Sequence, residues 1–341
     1  MSEAPHRPRM NAAQRMNGAD DAKRGFYGPK VVALGGGHGL FASLSALRLM
    51  THNVTAVVTV ADDGGSSGRL REEFGVLPPG DMRMALSALC DDGEWGQTWR
   101  DVLQHRFMSE GPMNGHALGN LLILALWEHF GESVTALDWV GQLLDIKGRV
   151  LPMSSTPLEI EAVVDGDGGR TTVRGQVAVA TSTGHVHHVA VIPKNPPAQA
   201  EALVAVEEAD WVILGPGSWY TSVIPHLLVP ELREVLRTTK AKRALTLNLN
   251  AEKETQGMSA ADHIRTVCFH APGLKLDVIL ADPSSIDDID ETERAAVECG
   301  AQLMLRQVRM SDGSARHDPL RLAAAYRDAF EGVFGDVFDA D

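Results

Sequence analysis

The sequence predicts a doubly wound α/β domain carrying an inserted β-ribbon. Three observations carry that prediction. Apolar strand runs alternate with helix-period segments along most of the chain. Glycine-rich loops follow three of the strand runs, at 35–39, 64–68 and 215–217. Between residues 159 and 180 the apolar period switches to two, which marks a hairpin.

The elements follow in order. Residues 30–34 read as a short strand. Residues 39–50 read as a helix with Leu40, Leu44 and Leu47 on one face. Residues 54–61 are a β-branched run, buried on both sides. Strand, helix and strand within about 30 residues make a right-handed βαβ unit. Residues 81–130 read as mostly helical, broken at Gly93, Gly96 and Gly111-Pro112, with an apolar helix at 118–130. Ile160, Ala162 and Val164 then alternate with polar residues, residues 165–169 turn the chain, and 171–180 alternate again. A helix at 201–209, a strand at 211–214, a loop at 215–218 and a helix at 230–238 come next. The chain continues as strand 244–249, helix 259–268, strand 277–280 and helix 319–334. Residues 1–28, rich in Arg, Asn, Asp and Pro, read as a disordered arm. Residues 29–334 read as one domain with a hairpin insertion at about 158–192, and 335–341 as a tail.

Composition narrows the function. A 341-residue chain with 44% hydrophobic residues supports a large core. A net charge of −14 argues against a non-specific nucleic-acid surface, which needs clustered Lys and Arg. Cys90, Cys268 and Cys299 lie far apart with no CxxC. Neither a disulfide framework nor a zinc site is expected, and a reducing cytoplasm fits. The longest apolar run, 121–127, is far short of a membrane span. The first residues contain no signal-peptide hydrophobic region.

Several motifs carry chemistry. Gly35, Gly36, Gly37, His38 and Gly39 form a turn from strand to helix. Such a turn lets backbone N–H groups approach a phosphate at a positive helix end. A tight turn needs no ligand, but four glycines exceed what it requires. The dinucleotide fingerprint is not met, because Leu40 stands at its last glycine. Next come Asp62, Asp63, Gly64, Ser66, Ser67 and Arg69. Side chains alternate along a strand, so one carboxylate is expected on a ribose hydroxyl or a metal and the other as a helix cap. Ser66, Ser67 and Arg69 or Arg71 supply phosphate donors. Asp81 sits where an N-cap belongs, ahead of Arg83. His116 and Asn120 flank another helix start. Gly215, Gly217, Ser218, Thr221 and Ser222 form a third loop at a strand end. Three such loops on one sheet converge where α/β sheets bind ligands. His185 and His187 share a strand face, but no third metal ligand stands near, so an exposed face is expected.

As an ordered set, Gly35–Gly39, Asp62–Arg69, Pro79–Arg83, His116–Asn120, Gly215–Ser222 and Asn248 through Glu254-Thr255 to Asp262-His263 resemble the YvcK/CofD-like family. The match covers about residues 30–322. Within the family the chain is more similar to the YvcK branch, the gluconeogenesis factors, than to the 2-phospho-L-lactate transferases. The resemblance implies a Rossmann-like three-layer α/β/α fold with a mostly parallel sheet in a cytoplasmic bacterial protein. It implies binding of a UDP-sugar such as UDP-N-acetylglucosamine, with no required cofactor. A role in cell shape and wall synthesis on gluconeogenic carbon follows, with wall-synthesis or morphogenesis proteins as partners and frequent self-association. The YvcK branch has no established catalytic reaction. In the transferase branch an Asp-rich loop works with a divalent metal, here Asp62 or Asp63 with magnesium.

The resemblance adds Asn248, Glu254, Thr255, Met258 and Arg316 to the binding residues. Met258 stands where relatives often carry an aromatic residue, and its thioether can pack on a base. Pro319 stands where some relatives carry a phosphorylated Thr, so that switch is absent. Two alternatives stay open: a metal-dependent phosphoryl- or nucleotidyl-group transferase, and an NAD-binding oxidoreductase.

Overall fold

A computed structural model describes residues 28–166 and 169–334. The expected arm (apart from Gly28) and tail lie outside those residues. β1 (Val31–Gly35), α1 (Gly37–Leu47) and β2 (Val54–Val58) form the expected βαβ unit. Every residue of β1 is buried, as its continuous apolar run demands. Helices α2 (Gly65–Phe74), α3 (Gly80–Leu89), α4 (Glu94–Gln104), α5 (Leu118–Phe130) and α6 (Ser133–Leu143) lead to β3 (Arg149–Pro152).

An antiparallel ribbon follows: β4 (Glu159–Gly166), β5 (Gly169–Arg174), a short helix α7 (Gln176–Ala180) and β6 (Val186–Ile192). The second half holds α8 (Ala200–Glu207), β7 (Trp211–Leu214), α9 (Ile224–Leu228), α10 (Pro230–Thr238) and β8 (Lys242–Thr246). It closes with α11 (Ala260–His270), β9 (Val278–Ala281), α12 (Ile289–Glu298), β10 (Gln302–Leu305) and α13 (Pro319–Glu331).

The main sheet has seven strands in the order β10-β9-β8-β7-β1-β2-β3. All its pairings are parallel, with Leu34 beside both Val57 and Leu214. The first half of the chain builds from β1 toward β3 and the second half from β7 toward β10. β1 and β7 are therefore neighbours whose following loops diverge, which is the switch point of a doubly wound sheet.

Two expectations are corrected here. The alternating run 171–180 does not continue as strand. Residues 176–180 form α7, because Asp63 Oδ1 accepts the N–H of Val177 at 3.0 Å and satisfies a helix end. β4 and β5 form the expected hairpin, and β6 joins β4 to make it a three-stranded sheet. The cysteines are not all free thiols. Packing of α11 against α12 brings Cys268 and Cys299 to a Cα separation of 6.3 Å, and a disulfide joins them. Cys90 is free and buried. Among the described residues no helix is long and apolar enough to cross a membrane.

The sheet core sets the scaffold's stability. Leu34 is fully buried at the centre of the main sheet. Leu34→Ala is expected to destabilise the fold by about 2–5 kcal/mol, through lost transfer energy and a residual cavity. Urea denaturation of variant and wild type measures it.

Candidate functional site

The switch point opens a cleft of about 520 Å³. Its walls include His38 and Gly39 from the start of α1, Gly217 after β7, Asn248 after β8, and Arg316 and His317 before α13. Gly39 is fixed by close approach: a Cβ there would land inside the carbonyl group of Pro216. The turn after β7 is held from behind. Ser43 Oγ donates to Gly215 O at 2.9 Å, and Tyr326 OH bridges Ser43 and Thr246. Gly36 at the N-cap of α1 has no side chain to offer, and Asp81 takes only the Gly37 N–H, which leaves the N–H groups of His38 and Gly39 for an anion. Burial pushes His317 down to about 4, so a neutral imidazole lines the wall at pH 7.

A larger groove of about 740 Å³ opens at the opposite ends of the strands. Its cations are already paired, Lys30 with Glu208, Lys147 with Asp91 and Arg149 with Asp138. Position at the carboxyl ends of the strands, beside the first turn of α1, favours the switch-point cleft.

A pair of carboxylates lies beside the cleft. Asp62 Oδ1 accepts the N–H of Gly64 at 2.9 Å, and Ser67 hydrogen-bonds the same side chain. Asp81 does not cap its helix; its carboxylate accepts from the N–H of Gly37, beneath the glycine turn. A Cβ on Gly36 would fall 2.5 Å from Asp81 Oδ2, so only glycine fits above it. Asp81 Oδ2 and Thr59 Oγ1 are buried without hydrogen-bond partners among the described residues. Burial first, then the charge of Asp62, push Asp81 up to about 7. Burial is also the main cause raising Asp62. Asp63 is not part of this pair: its carboxylate caps α7 and ties the ribbon to the 62–69 loop.

Most remaining candidates hold the loops. Ser66 Oγ accepts from Asn120 Nδ2 at 3.0 Å and from the Ala117 N–H, so its own proton goes to His116 Nδ1. Asn120 Oδ1 accepts from Arg83 Nε at 2.9 Å. Asn248 grips the Gly217 peptide on both sides, at 2.8 and 2.9 Å. Ser218 Oγ donates to Glu252 Oε2. Glu254, pushed up to about 7 by burial, accepts from the Tyr220 N–H at the π-helical turn 219–223. Thr255 completes a capping box with Glu252. Met258 Sδ accepts from Tyr220 OH, while Thr221 and Ser222 are buried in that turn. Arg69 donates to the carbonyls of Pro112 and Asn114. Gly35 ends β1 and Gly64 abuts Val177.

His187 bonds Asp165, and no group of three metal-ligating side chains occurs among the described residues. Sequence reasoning missed Thr59, Gln104, Arg106 and Tyr326. Nothing in the local pattern marks them, since each is brought to the site by tertiary packing.

Fold and site define a doubly wound α/β protein with a ligand-sized cleft at its switch point. The chain belongs to the CofD family, whose model, described as 2-phospho-L-lactate transferase CofD, matches residues 31–311. It is 50% identical over 303 residues to a Mycobacterium tuberculosis protein provisionally named gluconeogenesis factor, covering 86% of this chain and 88% of that one. A Listeria innocua gluconeogenesis factor is 35% identical over 309 residues, covering 87% and 94%. The crystal structure of a UPF0052-family protein from Bacillus halodurans superposes with a TM-score of 0.78 at 32% identity, covering 87% of this chain and 98% of that chain. These relatives support a gluconeogenesis factor.

The raised Asp81 carboxyl has a consequence for stability. The native chain holds a proton that the unfolded chain releases near 3.8. Its contribution is complete below that pH and is lost as pH rises toward about 7. Asp81→Asn keeps an acceptor for Gly37 and removes the charge. It is expected to stabilise the protein by about 2–4 kcal/mol at pH 8, with the gain vanishing by pH 4. Thermal unfolding across that range checks the sign and the window.

Proposed function

We propose that this gluconeogenesis factor binds a UDP-sugar of the UDP-N-acetylglucosamine type and acts as a cytoplasmic regulator of cell shape and wall synthesis. The observation that supports the reading is the first turn of α1, where His38 and Gly39 line the switch-point cleft opposite Arg316 and Gly217. The diphosphate would sit on that helix end. Base and sugar would occupy the apolar and amide-lined walls around Phe41, Asn250 and Pro216. Regulation rather than turnover is supported by how fully the hydroxyls are engaged: Ser66 and Ser218 are both bonded to neighbours. The bound state would be read by wall-synthesis or morphogenesis proteins, with the chain acting as a homo-oligomer.

A second reading rests on the Asp62–Asp81 pair. Magnesium is commonly held by one or two carboxylates with the remaining positions filled by water and substrate phosphates. The unpartnered Asp81 Oδ2 fits that role, so Asp62 and Asp81 would hold the ion in a phosphoryl- or nucleotidyl-group transferase. No observation favours the nicotinamide reading.

Calorimetric titration with UDP-N-acetylglucosamine, with and without magnesium, tests both. Wild type is expected to bind, and Arg316→Ala to lose about tenfold, one charge-assisted contact. Absence of binding by any UDP-sugar refutes the first reading. Release of a nucleoside phosphate product would select the second.

A further inference from the structure

Arg83 is almost completely buried, yet no carboxylate lies within 4 Å of it among the described residues. Its guanidinium is held by neutral acceptors instead, Asn120 Oδ1 and Gln104 Oε1. Arg106 donates to Gly115 O at 2.9 Å, and Arg69 to two further carbonyls. Neither forms an ion pair among the described residues. Elsewhere in this acidic chain arginines usually meet carboxylates, as Arg149 meets Asp138, Arg265 meets Glu298 and Arg306 meets Asp328.

The three guanidinium groups converge on the segment 115–120. Arg106 donates to Gly115 O, Arg69 Nη2 lies 3.7 Å from where a Cβ on Gly115 would stand, and Arg83 packs on Gly119 and donates to Asn120 Oδ1. Burying a cation without a counter-ion is costly. Arg83 is buried without an ion-pair partner, and the exposed Arg69 and Arg106 beside it are held by carbonyls alone, an arrangement that an external anion would complete.

His116 adds a donor. Ser66 already accepts two hydrogen bonds, so its proton is directed to His116 Nδ1, and the neutral ring carries its hydrogen on Nε2. The acidic groups facing the cluster are Asp62 and Asp81 near Arg83, and Glu73 near His116.

This neighbourhood is not the diphosphate position at α1. Asp81 and Arg83 are two residues apart on α3, about 200° around the helix. Asp81 faces Gly36 and Gly37. Arg83 faces Gly119 and Asn120 at the start of α5. The carboxylate pair stands between the two sides.

We propose that Arg83, Arg106, Arg69 and His116 form a second anion subsite that takes the phosphoryl group of a separate ligand. The site is therefore bipartite, with a nucleotide cleft on the β1–β7 side and a phosphoryl-group subsite on the β2 side. This extends the UDP-sugar reading without depending on it.

The test is a ³¹P NMR titration of the full chain with inorganic phosphate, with and without saturating UDP-N-acetylglucosamine and magnesium. Wild type is expected to show saturable phosphate binding that the nucleotide sugar does not displace. Arg106→Gln, on the exposed side of the cluster, is expected to weaken phosphate at least tenfold and leave UDP-sugar affinity within twofold. Arg83→Gln is expected to weaken phosphate likewise, with its melting temperature monitored because the residue is buried. No saturable phosphate binding, unchanged affinity in Arg106→Gln, or displacement by the UDP-sugar each overturns the proposal. Phosphate binding without any UDP-sugar binding leaves this subsite standing and refutes only the nucleotide-sugar reading.

Discussion

The contact on which the site depends is the close approach of Gly39 to the Pro216 carbonyl. At a switch point the loops after neighbouring strands run apart, and a cleft opens between them. Here α1 is pressed onto the loop after β7 with no side chain between. That contact sets the width of the cleft at its floor. The support behind it is polar and buried: Ser43 on α1 bonds the Gly215 carbonyl, and Tyr326 on α13 bonds Ser43 and Thr246. A helix from the far end of the chain thus fixes the geometry of the first βα turn. The Asn248 grip on Gly217 closes the same loop from the β8 side.

Electrostatics divide the sheet edge. Two carboxylates sit where burial disfavours their charge, and the charge of Asp62 adds to the cost of ionising Asp81. Beyond them lie guanidinium groups held only by amide and carbonyl oxygens. A divalent cation would satisfy the first arrangement and an oxyanion the second. Asp81 Oδ2 and Thr59 Oγ1 have no partner among the described residues, whereas the hydroxyls of Ser66 and Ser218 and the amides of Asn120 and Asn248 are engaged. This contrast separates residues that shape the loops from those that await a ligand, and it moves Asp63, Asn248, Glu254 and Thr255 to the shaping group.

The legible part of the sequence was the part governed by local rules. The strand-glycine-helix pattern at 31–47 and the β-branched run at 54–58 specify the βαβ unit. The loops at 35–39 and 215–217 do meet at one crevice, because both follow strands that pair in parallel. Illegible features required knowledge of neighbours. Alternation at 176–180 suits a strand, but Asp63, more than a hundred residues earlier, offers a cap that selects a helix. Asp81 looked like a cap and instead reaches under Gly37. The pairing of Cys268 with Cys299 follows from α11 packing on α12, which no spacing rule reveals. β3 and β10 open on Arg149 and Gln302 and lack the wholly apolar run that marks the equally short β7 and β9.

The distinction between a sensor and a transferase lies in what stands between the two halves of the site. A sensor of one nucleotide sugar needs the α1 helix end and the cleft walls; it has no need of unpaired arginines beyond a carboxylate pair. A group-transfer enzyme needs two anionic ligands brought to a shared ion, with repulsion between them relieved by the metal. Along this sheet edge the carboxylate pair Asp62 and Asp81 adjoins the helix end on one side and Arg83 with its neighbours on the other. That order suits two ligands meeting across an ion. A regulator can retain the same layout if it senses two metabolites together, since binding at both sides of a shared cation couples their affinities. Regulation and group transfer would therefore draw on the same layout of carboxylates and cations. The same carboxylate pair that would orient a reaction would also make the binding of one anion depend on the other.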